Sequence, residues 1–262
     1  MFNQINLTPI QSHIVWEDKE ENLRNYGELL SCVANKTDIA VLPELFTTGL
    51  SLHTADLAET NSGKTIATIK QYAADYNIAI TGSFMATEDG KYYNRAFFVT
   101  PQGQAYYYDK RHLFSMAGED KSYSRGNKRL IVDYLGWKIC LMVCYDLRFP
   151  VWSRNVDNEY DLLIYVANWP EARKDAWKAL LKARAIENMS YVCGVNCIGT
   201  DANNTKYHGG SVIYTPKGEK HLNTEESKTS TTTHPLHRDK LETLRTKFPA
   251  WKDADPFTLN EN

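Results

Sequence analysis

The chain has 262 residues, 42% of them hydrophobic and 24% charged, so it is long enough to bury a sizeable core. Its formal net charge of −2 gives no basic footprint for nucleic acid or an anionic membrane, which favours a small-molecule substrate or a protein partner. No apolar run reaches transmembrane length, and the first residues lack the pattern of a secretory signal, so we expect a cytoplasmic protein.

The first half of the chain predicts helices alternating with short buried strands. Its predicted elements are a helix over 18–36, a strand over 38–42, a helix over 66–76, a strand over 78–84, and a hairpin of 92–100 with 105–108. Pro43 ends the first strand, so Glu44 lies just past a strand end.

The second half begins with a polar stretch, 109–128, that shows neither helical nor strand periodicity clearly. We interpret it as a long loop, and loops of this length in compact domains are often functional. The Ser/Thr-rich stretch 227–233 is compatible with an edge strand or with a solvated linker. The other predicted elements are a hairpin of 130–133 with 137–143, a strand over 161–167, a helix over 172–189, a strand over 191–197, a hairpin of 209–214 with 219–222, and a terminal helix over 236–248.

Alternating helices and strands mixed with hairpins indicate an α/β protein with mixed sheets. The economical architecture is a four-layer α-β-β-α sandwich of two mixed sheets, with helices on the outside. We expect one domain over 1–262, because no repeat or linker interrupts the pattern. The segment from about 234 would form a helix and tail that packs on the body or on a partner subunit.

The chain contains five cysteines, two pairs of which have C-x-x-x-C spacing: Cys32, Cys140, Cys144, Cys193 and Cys197. Thiolates suit zinc, but strand residues four apart lie roughly 13 Å apart, too far to share one tetrahedral ion. The spacing is also not the two-residue spacing of redox dithiols. Taken singly, each cysteine is therefore expected to be a buried structural residue, and no metal site is predicted.

Three polar side chains nevertheless follow apolar strands, at positions where they could converge on one edge of the sheets. They are Glu44 in Leu-Pro-Glu-Leu-Phe, Lys110 in Tyr-Asp-Lys-Arg-His-Leu, and Cys144 in Val-Cys-Tyr-Asp-Leu-Arg-Phe-Pro. Each has an ordinary structural interpretation: a cap, a solvated cation and a core thiol. Placement alone does not decide between structure and catalysis.

In that order, the three segments resemble the three signatures of the nitrilase superfamily of carbon-nitrogen hydrolases, and the resemblance covers nearly the whole chain. The run 144–150, with 152–154 after it, is similar to bacterial omega-amidases, which hydrolyse 2-oxoglutaramate and related 2-oxo acid amides. Further matching stretches are 113–119, 165–170 and 182–188.

The resemblance implies a cysteine-dependent amidase. Cys144 would be the nucleophile and Glu44 the general base, while Lys110 and the backbone N–H of Tyr145 would stabilise the oxyanion. Glu119 would be a second glutamate that orients the substrate or the triad. The lysine cation would also favour the thiolate. No metal or organic cofactor is required, and the resemblance implies at least a homodimer.

A 2-oxo acid amide carries a carboxylate, which a guanidinium binds well. Arg173, beyond the strand that follows the nucleophile segment, is the candidate for that contact, and Phe46 and Trp169 are candidates for the pocket wall. Scaffolding of the turn at the nucleophile is the expected role of three other charged residues: Asp146, Arg148 and Arg154.

Other functions remain open at this point. The triad alone does not separate an amidase from a carbamoylase or a nitrilase, and a catalytically silent binding protein could use the same scaffold. An α/β-hydrolase is excluded because its nucleophile elbow needs glycine at both flanks, where Cys144 has Met142 and Asp146.

Overall fold

The structure, a computed structural model, describes residues 3–259. Its strands are β1 (Gln4–Pro9), β2 (Ile39–Val41), β3 (Ala79–Glu88), β4 (Lys91–Val99), β5 (Ala105–Asp109), β6 (Ile131–Tyr134), β7 (Trp137–Val143), β8 (Leu162–Ala167), β9 (Tyr191–Asn196), β10 (Ile198–Thr200), β11 (Lys206–His208), β12 (Val212–Tyr214), β13 (Lys220–Asn223) and β14 (His234–His237). Its helices are α1 (Lys19–Val33), α2 (Thr54–Leu57), α3 (Lys64–Tyr76), α4 (Glu119–Ser122), α5 (Lys174–Glu187) and α6 (Arg238–Lys247).

The strands form two six-stranded mixed sheets and a small β10-β11 ribbon. The first sheet has the order β14-β1-β2-β3-β4-β5, with β1, β2 and β3 parallel and the other pairs antiparallel. The second has the order β13-β12-β9-β8-β7-β6, with a parallel centre of β7, β8 and β9. All three predicted hairpins, β4-β5, β6-β7 and β12-β13, are present at sheet edges.

Alternation along the short strand β2 shows how the layers are built. Ile39 and Val41 lie in the core between the two sheets, whereas Ala40 lies in a second core under α1 and α3. Successive strand residues point to opposite faces, so one strand serves both cores. On the far side, α5 packs Trp177 and Leu181 so closely over β9 that a Cβ on Gly194 would lie 2.8 and 2.4 Å from them. The predicted four-layer α-β-β-α sandwich is confirmed.

Two segments differ from the sequence expectation. The stretch 227–233 pairs only through a single bridge, Gln11 with Ser230, and the edge strand is β14, which follows it. Leu236 therefore belongs to a strand and not to the terminal helix. The predicted long loop contains the short helix α4, which carries Glu119.

Helix α6 packs on the second sheet. Leu241 is fully buried, and Arg238 and Arg245 both donate to Asp161, at 2.6 and 2.9 Å. Phe248, just beyond the helix, is 64% exposed. No helix within residues 3–259 is long and apolar enough to cross a membrane.

Candidate active site

The carboxyl ends of four strands meet at one edge of the two sheets. Glu44 follows β2, Lys110 follows β5, Cys144 follows β7 and Asn168 follows β8. β5 runs in the same direction as β2, because two antiparallel pairings separate it from β3. The topology thus brings together side chains that are far apart in sequence.

A buried ionic cluster forms at this edge. The Lys110 ammonium donates to Oε1 of Glu44 at 2.8 Å and to both carboxylate oxygens of Glu119 at 2.8 Å. The Asn94 amide nitrogen bridges the two carboxylates, donating to Glu44 at 2.8 Å and to Glu119 at 3.1 Å. All four side chains are buried, at 0–1% exposure. Buried charges are tolerated when they are paired and hydrogen-bonded, and this cluster meets that condition.

Two backbone N–H groups complete the orientation of the carboxylates. The N–H of Asn168 donates to Oε2 of Glu44 at 2.7 Å, and the N–H of Phe114 donates to Oε2 of Glu119 at 2.6 Å. The Glu44 carboxylate is also close enough to the Cys144 thiol to raise its pKa. Glu44 is therefore held against both the lysine and the nucleophile candidate.

The backbone at Cys144 is strained. Its φ is +42°, and Leu45, next to Glu44, has a φ of +44°; left-handed backbone costs a residue with a Cβ roughly 1–2 kcal/mol. Asp146 stabilises the turn, because its carboxylate accepts the N–H of Val143 at 3.0 Å and that of His112 at 3.0 Å. Strain of this kind is retained where the surrounding contacts fix it, and it is concentrated at functional sites.

The protonation of the cluster follows from burial and charge. Burial alone would lower the pKa of Lys110, but the carboxylates of Glu119 and Glu44 outweigh it, so the pKa lies well above its ordinary value. Burial, and then the Glu44 carboxylate, raises the pKa of Cys144 well above its ordinary value; Lys110 lowers it without compensating. Lys110 therefore acts in the expected direction, toward the thiolate, but burial and the carboxylates outweigh it, so the resting site favours an ammonium and a neutral thiol.

The other four cysteines divide into two groups. Cys140, Cys193 and Cys197 are buried in the core, as expected of structural thiols. Burial raises the pKa of Cys140 to about 12. Cys32 is exposed on α1, because it lies on the helix face away from the sheet, so the expectation of a buried residue is wrong there.

A cavity of about 260 Å³ opens above the cluster, and Lys110 and Cys144 line it. Three predicted substrate-binding residues, Tyr145, Trp169 and Arg173, also line it. Its size fits a small substrate. The other polar lining side chains are Arg148 and Asn168, neither of which was assigned a binding role from the sequence.

Phe46 does not line this cavity, which corrects its assignment as a pocket wall. The chain reverses at Leu45, and the N–H of Phe46 donates to the carbonyl of Ser83 at 3.1 Å. Its ring is fully buried in the core under α1, with ring centres 5.4 Å from Tyr26 and 6.1 Å from Phe97. The side chain therefore stabilises the segment that carries Glu44 and contacts no substrate space.

Two guanidinium groups lie along the cavity wall. That of Arg173 lies 5.1 Å from the ring centre of Phe114, and that of Arg148 lies 5.0 Å from the ring centre of Trp169. Within residues 3–259 neither forms an ion pair with a carboxylate. By contrast, Arg154 donates to the carbonyl of Glu187 at 2.8 Å, as a scaffold residue would. Arg148 therefore belongs to the cavity and not, as expected, to the scaffold.

Sequence reasoning also missed Asn94. The signal was present, since Asn94 is a lone amide in a strand where the next positions on the same face are apolar, but isolated polar strand residues are common on solvated faces. Among residues 3–259 no group of three His, Cys, Asp or Glu side chains is arranged to hold a metal ion.

Comparison with known proteins fits this geometry. Residues 6–246 match the family model described as carbon-nitrogen hydrolase. The chain is 43% identical over 258 residues to omega-amidase YafV of Escherichia coli (strain K12), covering 97% of this chain and 98% of that protein. It is 33% identical to a 2-oxoglutaramate amidase of Bacillus subtilis (strain 168), covering 80% and 82%. A crystal structure of a CN-hydrolase superfamily protein from Xanthomonas campestris superposes with a TM-score of 0.97 at 39% identity, covering 99% and 100%. This chain belongs to the carbon-nitrogen hydrolase family.

Proposed function

We propose that this protein is an omega-amidase that hydrolyses 2-oxo acid amides, such as 2-oxoglutaramate and 2-oxosuccinamate, to the 2-oxo dicarboxylic acid and ammonia. The observation that carries the proposal is a buried cluster of Glu44, Lys110 and Glu119 beside Cys144 at the floor of a small cavity. The cavity wall holds two guanidinium groups that have no acidic partner among residues 3–259. The full-length similarity to omega-amidase YafV supports the same substrate class.

Acylation begins with the neutral thiol. Cys144 transfers its proton to Glu44 as the sulfur attacks the amide carbon, and the carbonyl electron pair moves to the oxygen. Lys110 and the backbone N–H of Tyr145 stabilise that oxyanion. The C–N bond then breaks as Glu44 returns the proton to nitrogen. Ammonia departs, and the acyl group remains on Cys144 as a thioester.

Deacylation uses the same base. Glu44 takes a proton from water as the water oxygen attacks the thioester carbon, and the C–S bond breaks with the proton returned to sulfur. The sum is one amide and one water converted to one acid and one ammonia. Glu119 keeps Lys110 oriented and charged throughout, and no metal or organic cofactor takes part in these steps.

Substrate recognition is assigned to the cavity wall. Arg173 binds the substrate carboxylate, Arg148 adds a second positive charge, and Trp169 provides an apolar face. Because Lys110 is offset by two carboxylates, the free guanidinium groups let the cavity accept an anionic substrate. A neutral amide would leave both without a counter-ion.

A substrate panel tests the proposal. Purified protein should release ammonia from 2-oxoglutaramate, and Cys144→Ala should abolish the release while its far-UV circular dichroism stays unchanged. Activity on a nitrile or carbamoyl compound with none on 2-oxo acid amides would overturn the substrate assignment. A fully silent wild-type protein would instead support a binding role on the same scaffold.

We also propose that the protein forms a homodimer or a higher homo-oligomer. Ile186 on α5 is 49% exposed and Phe248 after α6 is 64% exposed, so the outer helical layer of the second sheet carries large apolar side chains that a second copy could cover.

A cytoplasmic location is proposed because the mechanism needs Cys144 as a free thiol, and the cytoplasm keeps thiols reduced. Cell fractionation followed by immunoblotting should find the protein with cytoplasmic markers; recovery with an oxidising compartment would contradict the proposal.

A further inference from the structure

The side chain of Asn168 is buried without a hydrogen-bond partner. It is 3% exposed, and within residues 3–259 neither its amide nitrogen nor its carbonyl oxygen has a partner. A buried amide with no partner lowers stability, so such a group calls for an explanation. Asn168 also lines the cavity together with Lys110 and Cys144, so the residue that carries the unpartnered amide borders the substrate space.

Neighbouring buried asparagines behave differently. Asn196, which pairs with Ala167 in the adjacent strand, accepts the N–H of Trp169 at 2.7 Å and donates to the carbonyl of Trp169 at 3.0 Å. Asn94 is likewise partnered at both ends of its amide. The fold therefore satisfies asparagine side chains at this edge, and Asn168 is an exception beside the reacting groups.

A backbone contact of Asn168 locates its side chain relative to Glu44. The Asn168 N–H donates to Oε2 of Glu44, the general base, at 2.7 Å. The Asn168 side chain is carried by the Cα next to this N–H. In the proposed reaction Glu44 must donate a proton to the leaving nitrogen. A nitrogen that receives this proton from Oε2 would lie next to Asn168.

We propose that Oδ1 of Asn168 accepts a hydrogen bond from the leaving –NH2 of the substrate amide and so directs the nitrogen lone pair toward the proton on Glu44. This inference rests on the proposed amidase function. The carbonyl oxygen of the substrate is taken by Lys110 and the Tyr145 N–H, which leaves the two N–H bonds in need of an acceptor. Protonated Glu44 has to donate at this stage, so a separate acceptor is required. Asn168 acts as a substrate-positioning residue, and no additional bond is formed or broken.

Comparing an amide and an ester of the same acid separates this positioning role from a general loss of catalytic activity. An ω-methyl ester forms the same thioester on Cys144, but its leaving oxygen has no hydrogen to donate to Asn168. The kcat/KM value reports steps up to loss of the leaving group, so it isolates acylation. Asn168→Leu should lower kcat/KM for the amide about 100-fold and for the ester less than about 3-fold. An amide-to-ester ratio within about 3-fold of wild type would overturn the proposal.

Thermal unfolding provides the structural control. Because the Asn168 side chain has no hydrogen bond to lose within residues 3–259, Asn168→Leu should unfold at or above the wild-type Tm. Asn196→Leu, which loses partnered contacts, should unfold at least about 4 °C lower. If the larger leucine prevents folding, Asn168→Ala gives the same kinetic ratio. A Tm loss in Asn168→Ala as large as in Asn196→Leu, with an unchanged ratio, would mean a purely structural residue.

Failure of the proposed function is distinguishable from failure of this inference. The ratio is measured on whichever primary amide the wild-type protein hydrolyses, with ammonia release as the readout. Wild-type inactivity toward 2-oxoglutaramate alone would remove the substrate assignment, while the amide-to-ester ratio of the Asn168 variants would still support or overturn the positioning role.

Discussion

At the scale of single residues, the site depends on a neutral thiol beside a carboxylate. Burial is the largest cause of the high pKa of Cys144 and the Glu44 carboxylate is the next, so both favour the neutral thiol. This arrangement keeps the thiol unreactive toward adventitious electrophiles when no substrate is bound.

The pH dependence of alkylation tests that state. In a Cys32→Ser background, which removes the exposed thiol, the rate of Cys144 alkylation by iodoacetamide should still be rising at pH 9, because its folded pKa lies above the ordinary value. Glu44→Gln removes a charge that raises this pKa, so its profile should shift to lower pH. Peptide mass spectrometry follows the adduct, and a wild-type plateau at pH 7 would contradict the raised pKa.

The cavity arginines give a second prediction at this scale. Arg173→Met should raise KM for 2-oxoglutaramate about 10- to 100-fold with a smaller effect on kcat, because a hydrogen-bonded ionic contact contributes about 1.5–3 kcal/mol. Arg148→Met should act in the same direction. Arg154→Met is the matched control, since Arg154 does not line the cavity. Equal KM changes in all three variants would argue against a carboxylate subsite.

At the scale of elements, the turn after β7 is tied to the end of β5 by the hydroxyl of Tyr108. This hydroxyl donates to Asp146 at 2.7 Å and accepts from Trp152 Nε1 at 2.9 Å and from the N–H of Arg111 at 3.2 Å. One group thereby joins the strand that leads to Lys110 with the turn that carries Cys144.

Removing that hydroxyl should loosen both elements. Tyr108→Phe leaves buried polar groups without a partner, so it should lower the free energy of unfolding by about 1–3 kcal/mol and lower kcat. Tyr106, on the same strand, has a hydroxyl that donates to the exposed Gln104 at 3.3 Å, so Tyr106→Phe should change stability by less than about 0.5 kcal/mol. Urea denaturation measures both. An equal loss in the two variants would show that the Tyr108 network is not what matters.

Sequence patterns predicted most elements of this fold because the hydrophobic periodicity and the residues that cap or end an element indicate the same boundaries. In α1, Leu23, Tyr26 and Leu30 recur at helical spacing, and the Asp18 side chain caps the helix by accepting the Glu21 N–H at 2.9 Å. The β-branched stretch 227–233 was ambiguous because edge-strand propensity and solvation produce the same composition. The structure pairs only its middle and places the edge strand later, at β14.

At the scale of the whole molecule, the site exists because strands of both sheets have their carboxyl ends at the same edge of the sandwich. Resemblance to the family pointed to Glu44, Lys110, Cys144 and Glu119, and the structure brings all four together; their catalytic roles remain predictions. Arg148 and Asn94 could not be assigned from local pattern, because their roles depend on which strand ends become neighbours. The predicted role of Phe46 as a pocket wall was wrong for the same reason, because the chain reverses at the left-handed residue Leu45.

The proposed assembly is also tested at this scale. Sedimentation equilibrium should give a mass of at least twice that of one chain, and a Phe248→Ser/Ile186→Ser double variant should shift the population toward single chains. A single-chain mass for the wild-type protein across the concentration range would contradict the proposed homo-oligomer.

The central claim is that the acyl group of the substrate is transferred to Cys144 with release of ammonia. Rapid acid quenching of wild-type enzyme during turnover of 2-oxoglutaramate, followed by peptide mass spectrometry, tests it most directly. We predict a thioester-linked acyl group on the peptide that contains Cys144, formed together with ammonia and absent from Cys144→Ala. Undiminished ammonia release by Cys144→Ala, with no acylated peptide in the wild type, would contradict the account.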